Sequence, residues 1–287
     1  MSMKIARAAL LSCAVLAVGP AMASHSWGNY HWARQANPFT LKVVDAVSPT
    51  WDAYLDEANS DWTASAVLNL AEESGSSVNA RRCRAIAGKV LACNAAYGQN
   101  GWLGLASIWA NGSHITQATT KVNDTYFGMA TYNTPAWRRL VMCQEIAHDF
   151  GLAHQNEAFG PPNLGSCMDY TNDPDGGGAY GASNEHPNSH DFAQLETIYG
   201  HLDSTNSYST SAAVTNFGIR TVGEQPAVPA ASADDPGDSP GEWGRAIGTD
   251  GQGRPNLYVL DLGGGRKKIT HVFWAIGEGP RADHHHD

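Results

Sequence analysis

Positive charge is scarce in this chain. Lys and Arg total 18 against 28 Asp and Glu, a formal net charge of −10. Arg81-Arg82-Cys83-Arg84 is a basic knot, most simply a solvated loop. Neither nucleic acid nor an anionic membrane is therefore an expected partner. Long apolar runs are missing too. The best one, Ala8 to Val18, is too short to cross a bilayer. The five cysteines include no C-x-x-C pair, which argues against a thiolate metal site. No internal repeat is visible.

What is present begins at the N-terminus. Lys4 and Arg7 precede the short apolar run, and Ala21-Met22-Ala23 has the small-x-small form of a cleavage site. Residues 1–23 are expected to be a signal peptide, and the rest a secreted protein, with a periplasm as the other exported destination. No cysteine-bearing propeptide is visible after Ser24, so any latency is expected to come from elsewhere. Cys13 leaves with the signal, and Cys83, Cys93, Cys143 and Cys167 remain. An even count in an exported chain reads as two disulfides with three pairings open. Cys83–Cys93, which closes a short loop, and Cys143–Cys167 are the favoured pairs.

The densest chemistry lies in Cys143-Gln144-Glu145-Ile146-Ala147-His148-Asp149-Phe150-Gly151-Leu152-Ala153-His154. Residues four apart share a helix face, so Gln144 and His148 can address one ion. Glu145 is one step round, placed to act as a base without being a ligand. Gly151 can take the left-handed conformation that turns the chain back and lets His154 add a third donor. Three protein donors leave the open position of a catalytic zinc site. Cys143 and Cys167 directly precede Gln144 and Met168, so their bond would tie the two halves of such a site together. Glu157 is a further candidate donor.

This segment matches H-E-x-x-H-x-x-G-x-x-H at every defined position but the first, where Gln144 stands. With Ser166-Cys167-Met168-Asp169-Tyr170 downstream it resembles the metzincin clan of zinc metalloproteases, and its Gln variant resembles the gametolysin-type branch. The resemblance implies a Met turn at Met168 beneath the metal and a zinc held by Gln144, His148 and His154. It further implies Glu145 as general base and Tyr170 as oxyanion stabiliser. It covers roughly residues 114–202, and the segment from His190 to Leu202 resembles the closing helix of matrixin-type domains. It also implies that Leu103 to Trp109 is an edge strand to which substrate adds.

Around the motif, Trp27 to Arg34, Pro38 to Val44, Ser65 to Ala71, Gly101 to Ala110 and His114 to Val122 read as strands, with a hairpin at Asn111-Gly112. Trp51 to Trp62 carries a helical apolar stripe. Thr134 suits an N-cap and Pro135 the first helical position of the motif helix. Asp173 and Asp175 offer calcium oxygen donors, but no EF-hand spacing surrounds them, and a plain loop is expected. His114, His186, His190 and His201 are read as structural, surface or capping residues.

The expected fold is α+β: a metzincin-like twisted, mixed and mostly parallel sheet backed by helices, with a small lower subdomain and a C-terminal β appendage. The expected division is 24–203 for a catalytic domain, 204–242 for a Ser-, Pro- and Gly-rich linker and 243–287 for a small β unit. Strands at 256–262 and 267–276 are too few to stand alone, so that unit is expected to dock or to recruit 243–247. The function read here is a secreted, monomeric zinc endopeptidase acting on extracellular proteins or peptides. Two competing readings are a non-catalytic binding protein that lost zinc through Gln144 and a secreted adhesion or carbohydrate-binding protein that works through the C-terminal hairpin with Tyr258 and Trp274.

Overall fold

The computed structural model describes residues 25–209 and 234–280. The expected signal peptide, most of the expected linker and His284 to His286 lie outside them. The elements are β1 (His31–Trp32), β2 (Phe39–Ala46), α1 (Asp52–Thr63), β3 (Leu68–Ser74), β4 (Val90–Ala95), β5 (Trp102–Asn111), β6 (His114–Asn123), α2 (Asp124–Phe127), α3 (Pro135–His148) and α4 (Ser189–Ile198). After the undescribed stretch come α5 (Pro240–Trp243), β7 (Arg245–Thr249), β8 (Pro255–Gly263) and β9 (Arg266–Trp274). Among the described residues no helix is long and apolar enough to cross a membrane.

The strands form a single mixed sheet in the order β3-β2-β4-β6-β5-β9-β8-β7, with β1 also on β6. From β3 to β6 neighbouring strands run parallel. From β6 to β7 they run antiparallel. The sheet is thus less parallel than expected, because two tight hairpins supply half of it. Gly112, with φ 61°, turns β5 into β6. A Gly-rich turn at 263–265 joins β8 to β9 in the same way.

The strand expected over Trp27 to Arg34 is only His31–Trp32, since Trp27 and the residues after it wrap the motif instead. β4 is a strand that the sequence patterns above do not mark. Its Val90 and Ala92 are buried in the main core.

α1 and α3 pack on one face of the sheet. Leu55, Ala58 and Trp62 form the buried stripe of α1, and the Trp62 indole N–H donates to the Cys143 carbonyl at 3.0 Å. α3 starts as its sequence dictates: the Thr134 hydroxyl accepts from the Trp137 N–H, and Pro135 takes the first turn. The other face of β5 and β9 is covered by Trp102, Leu105, Trp243, Tyr258, Val272 and Trp274. Burying both faces of β5 removes more than aromatic surface from water: at roughly 25 cal/mol per Å2, each indole contributes several kcal/mol of transfer energy. That cluster fastens the C-terminal hairpin to the sheet.

One pairing changes the expected outline. β5, expected to be a free edge, has β6 on one side and β9 on the other, with Gly104 opposite Phe273 and Ala106 opposite His271. The C-terminal strands continue the main sheet, and β7 is the recruited third strand.

Candidate metal centre

α3 presents Gln144 and His148 on its inward face, and both are fully buried. The helix ends at His148, and Gly151 follows with φ 101°. A side chain there would meet the Tyr30 carbonyl oxygen at 2.4 Å, so only glycine lets the chain double back so closely. The return brings His154 Nε2 to 3.2 Å from His148 Nε2 and to 3.0 Å from Gln144 Oε1.

Hydrogen bonds at the rear of each group fix what it presents. His148 Nδ1 lies 2.7 Å from the Leu152 carbonyl, which can only accept, so the proton sits on Nδ1 and Nε2 offers a lone pair. His154 Nδ1 lies 3.0 Å from Glu157 Oε1, a close though poorly aligned contact that favours the same tautomer. Glu157 therefore backs His154 and does not face the centre. The Gln144 amide N–H2 donates to the Cys167 carbonyl at 2.6 Å and the Asp169 carbonyl at 3.1 Å. These two carbonyls settle which end of the amide is which, and Oε1 is left aimed at His154.

Three atoms thus converge, and with the His154 proton on Nδ1 toward Glu157 all three are acceptors. Lone pairs at 3.0–3.2 Å repel unless a cation lies among them. For zinc–nitrogen bonds of about 2.0–2.1 Å, tetrahedral geometry puts neighbouring donors about 3.3 Å apart. The donors present fit zinc in chemistry and in spacing.

Sequence reading missed one partner. His271, on β9, is 2 % exposed, and its ring stacks on His148 at 4.2 Å and meets His154 edge-on at 4.0 Å. His148, His154 and His271 each offer a ring nitrogen, all within 4.8 Å of one another. Burial, then the neighbouring imidazoles, lowers the pKa of His148 and of His271 well below the usual histidine range. His271 lies between Ile269 and Phe273, two core residues at the alternate positions of its strand. An imidazole at an inward position of an apolar strand was the available signal. Trp27 closes the group, with its ring stacked on those of both His148 and His271.

The other motif residues surround these. Glu145 is fully buried, neither carboxyl oxygen has a hydrogen-bond partner, and burial and then Asp149 raise its pKa well above the usual range. It packs against β5, where a Cβ on Gly104 would come within 2.6 Å of Oε1. The Tyr170 ring stacks on His154 at 4.6 Å, while its hydroxyl accepts from the Trp274 N–H at 3.1 Å and from Arg254 at 3.3 Å. Burial raises its pKa. Met168 is buried in the same core, and the Gln144 bonds grip the backbone on both sides of it. Both favoured disulfides are present, Cys83–Cys93 and Cys143–Cys167, the latter joining α3 to the Met168 turn.

No family model matches the chain, and no curated protein matches it. Among solved structures, the chain is similar to high choriolytic enzyme 1, a hatching enzyme zinc-protease from Oryzias latipes (medaka fish). The TM-score is 0.32 and the identity 11 %, over 59 % of this chain and 94 % of that one. The functional reading rests on the side chains.

Proposed function

We propose that this chain is a secreted zinc-dependent endopeptidase held in a closed form by its own C-terminal strand. The observation that carries the reading is the convergence of His148 Nε2, His154 Nε2 and Gln144 Oε1 beside an unpartnered Glu145 carboxyl. A merely structural centre has no use for a buried, unpaired carboxyl one helix step from its donors.

In the closed form His148, His154 and His271 supply three nitrogens, and Gln144 adds its amide oxygen. Such a set is complete, and β9 fills the place beside β5 where a substrate strand would pair. In an open form β9 and His271 withdraw, and Gln144, His148 and His154 remain with a free position. Zinc bound there would supply a Lewis acid for a carbonyl and a lowered pKa for water. Glu145, its proton affinity raised by burial, would take a proton from the attacking water and return it to the leaving amine. Tyr170 belongs to the oxyanion only in that open form, once its hydroxyl is released by Trp274 and Arg254. The two disulfides agree with an exported chain acting on extracellular protein or peptide.

Zinc content and casein hydrolysis on one purified sample test this reading. Zinc should bind, His148→Ala with His154→Ala should abolish binding, and Glu145→Ala should keep zinc and lose hydrolysis. Zinc lost in His271→Ala but kept in Gln144→Ala would make His271 the dominant third donor of the closed form. A zinc-free protein, or a zinc-loaded one that stays inactive under every opening condition, would favour the non-catalytic binding protein.

A further inference from the structure

At the end of α4, away from α3, three imidazoles gather round one carboxylate. His31 comes from β1, His114 opens β6, and His201 and Asp203 follow α4. Asp203 Oδ1 lies 3.4 Å from His31 Nε2, 3.3 Å from His114 Nε2 and 3.7 Å from His201 Nε2. His31 Nε2 and His201 Nε2 are 3.2 Å apart. The rings fan out around His31, with interplanar angles of 82° to His114 and 84° to His201.

These separations are long for charge-assisted hydrogen bonds, which close to about 2.7–2.9 Å. They are close to the donor–donor edge of a tetrahedral zinc site, about 3.3 Å. The tautomer agrees. His31 Nδ1 lies 2.7 Å from the Asn29 carbonyl, so a neutral His31 turns a bare Nε2 toward Oδ1. Arg34 holds the other oxygen, with its backbone N–H and its Nη1 each 3.1 Å from Oδ2. Its Nη2 donates to the His201 carbonyl. Arg34 therefore orients Asp203 and the His201 backbone while leaving Oδ1 to the cluster. Its charge opposes a further cation, and the Asp203 carboxylate that it pairs with offsets that. The site is reachable: the side chains of His114 and His201 are 40 % and 55 % exposed, over a buried His31.

We propose that His31, His114 and Asp203, whose donor atoms all lie within 4.8 Å of one another, form a second metal site for zinc or a similar borderline divalent cation, with His201 closing on it from the His31 side as a fourth donor. Four protein donors close the site, which makes it structural and not catalytic. It would clamp three segments distant in sequence: the N-terminal strand, the β5–β6 hairpin and the chain leaving α4. This site is independent of the centre at His148 and His154.

The test is zinc stoichiometry of the chelator-stripped full chain after titration with zinc and gel filtration, with Co2+ absorption as a second readout. The variant is His114→Asn with His201→Asn, both at exposed positions. It should bind one equivalent less than the unsubstituted chain. Zinc should raise the melting temperature of the unsubstituted chain more than that of the variant. His284 to His286 are present in both proteins, so their binding cancels. An unchanged stoichiometry and an unchanged thermal shift would overturn the proposal, as would a lost equivalent that binds only at millimolar zinc. In that case the cluster is a protonated histidine paired with Asp203. A protein that keeps this equivalent but binds none at His148 and His154 would uphold the site and overturn the peptidase reading.

Discussion

Glu145→Met separates catalytic purpose from structural purpose at one position. Met has the length of Glu, so the variant keeps the packing against Gly104. What it removes is a fully buried carboxyl whose two oxygens have no partner. Burial, then the Asp149 carboxyl, raises that carboxyl's pKa well above the usual range. A neutral polar group buried without hydrogen bonds costs roughly 1–3 kcal/mol. The variant should therefore be more stable than the unsubstituted chain by about that much. In a chain of this size the gain is a rise in melting temperature of roughly 2–10 °C. The assay is scanning calorimetry of both proteins with a chelator present, then casein hydrolysis after zinc loading. Stability should rise and hydrolysis should vanish, because a group kept at a cost to the fold is kept for its chemistry. Equal or lower stability in Glu145→Met would refute the reasoning, since it would mean the carboxyl is satisfied. Persisting hydrolysis would remove Glu145 as the base.

Two further outcomes are expected. Asp191 takes hydrogen bonds from the Ser166 hydroxyl and the Asn188 N–H, and faces His25, yet burial dominates and raises its pKa from 3.8 to about 6. The folded chain then keeps a proton that the unfolded chain has lost. Stability from this group falls as pH rises from about 4 to about 6, by roughly 3 kcal/mol, and stays lost above that window. His25, its pKa lowered to about 4 by burial, is neutral through most of that window. Urea unfolding of Asp191→Asn at stepped pH should lack this slope, and an unchanged slope would assign it to another group. Arg254→Met should act on closure. Arg254 donates to Asp250, to the Ala275 and Glu278 carbonyls and to the Tyr170 hydroxyl. Its loss strands a buried Asp250 and should cost about 3–5 kcal/mol. Well below its melting temperature the variant should hydrolyse casein faster than the unsubstituted chain, and a rate that merely tracks the folded fraction would refute the closed form.

Local rules made much of this molecule legible. Thr134 and Pro135 announce where α3 begins, Gly151 where the chain turns back, and Asn111-Gly112 the hairpin, because each depends on a few adjacent residues. The disulfides were readable because Cys143 and Cys167 each stand next to a motif residue. β4 was hidden because a strand buried on both faces carries no alternation to detect.

The pairing of β9 with β5 was hidden for a different reason. Register between strands more than 150 residues apart is decided by tertiary packing, here by Trp102, Val272 and Trp274 closing one aromatic cluster. That one pairing has three consequences at the site. It covers the strand expected to stay open, it takes the Tyr170 hydroxyl for the Trp274 N–H, and it delivers His271 to His148 and His154. Gln144 then acquires a reason that the motif alone could not give. An imidazole cannot donate to two carbonyls and still present an acceptor to His154, whereas an amide does both. The departure from the histidine pattern is thus tied to a turn that Gln144 grips from both sides, in a form where β9 brings a histidine of its own.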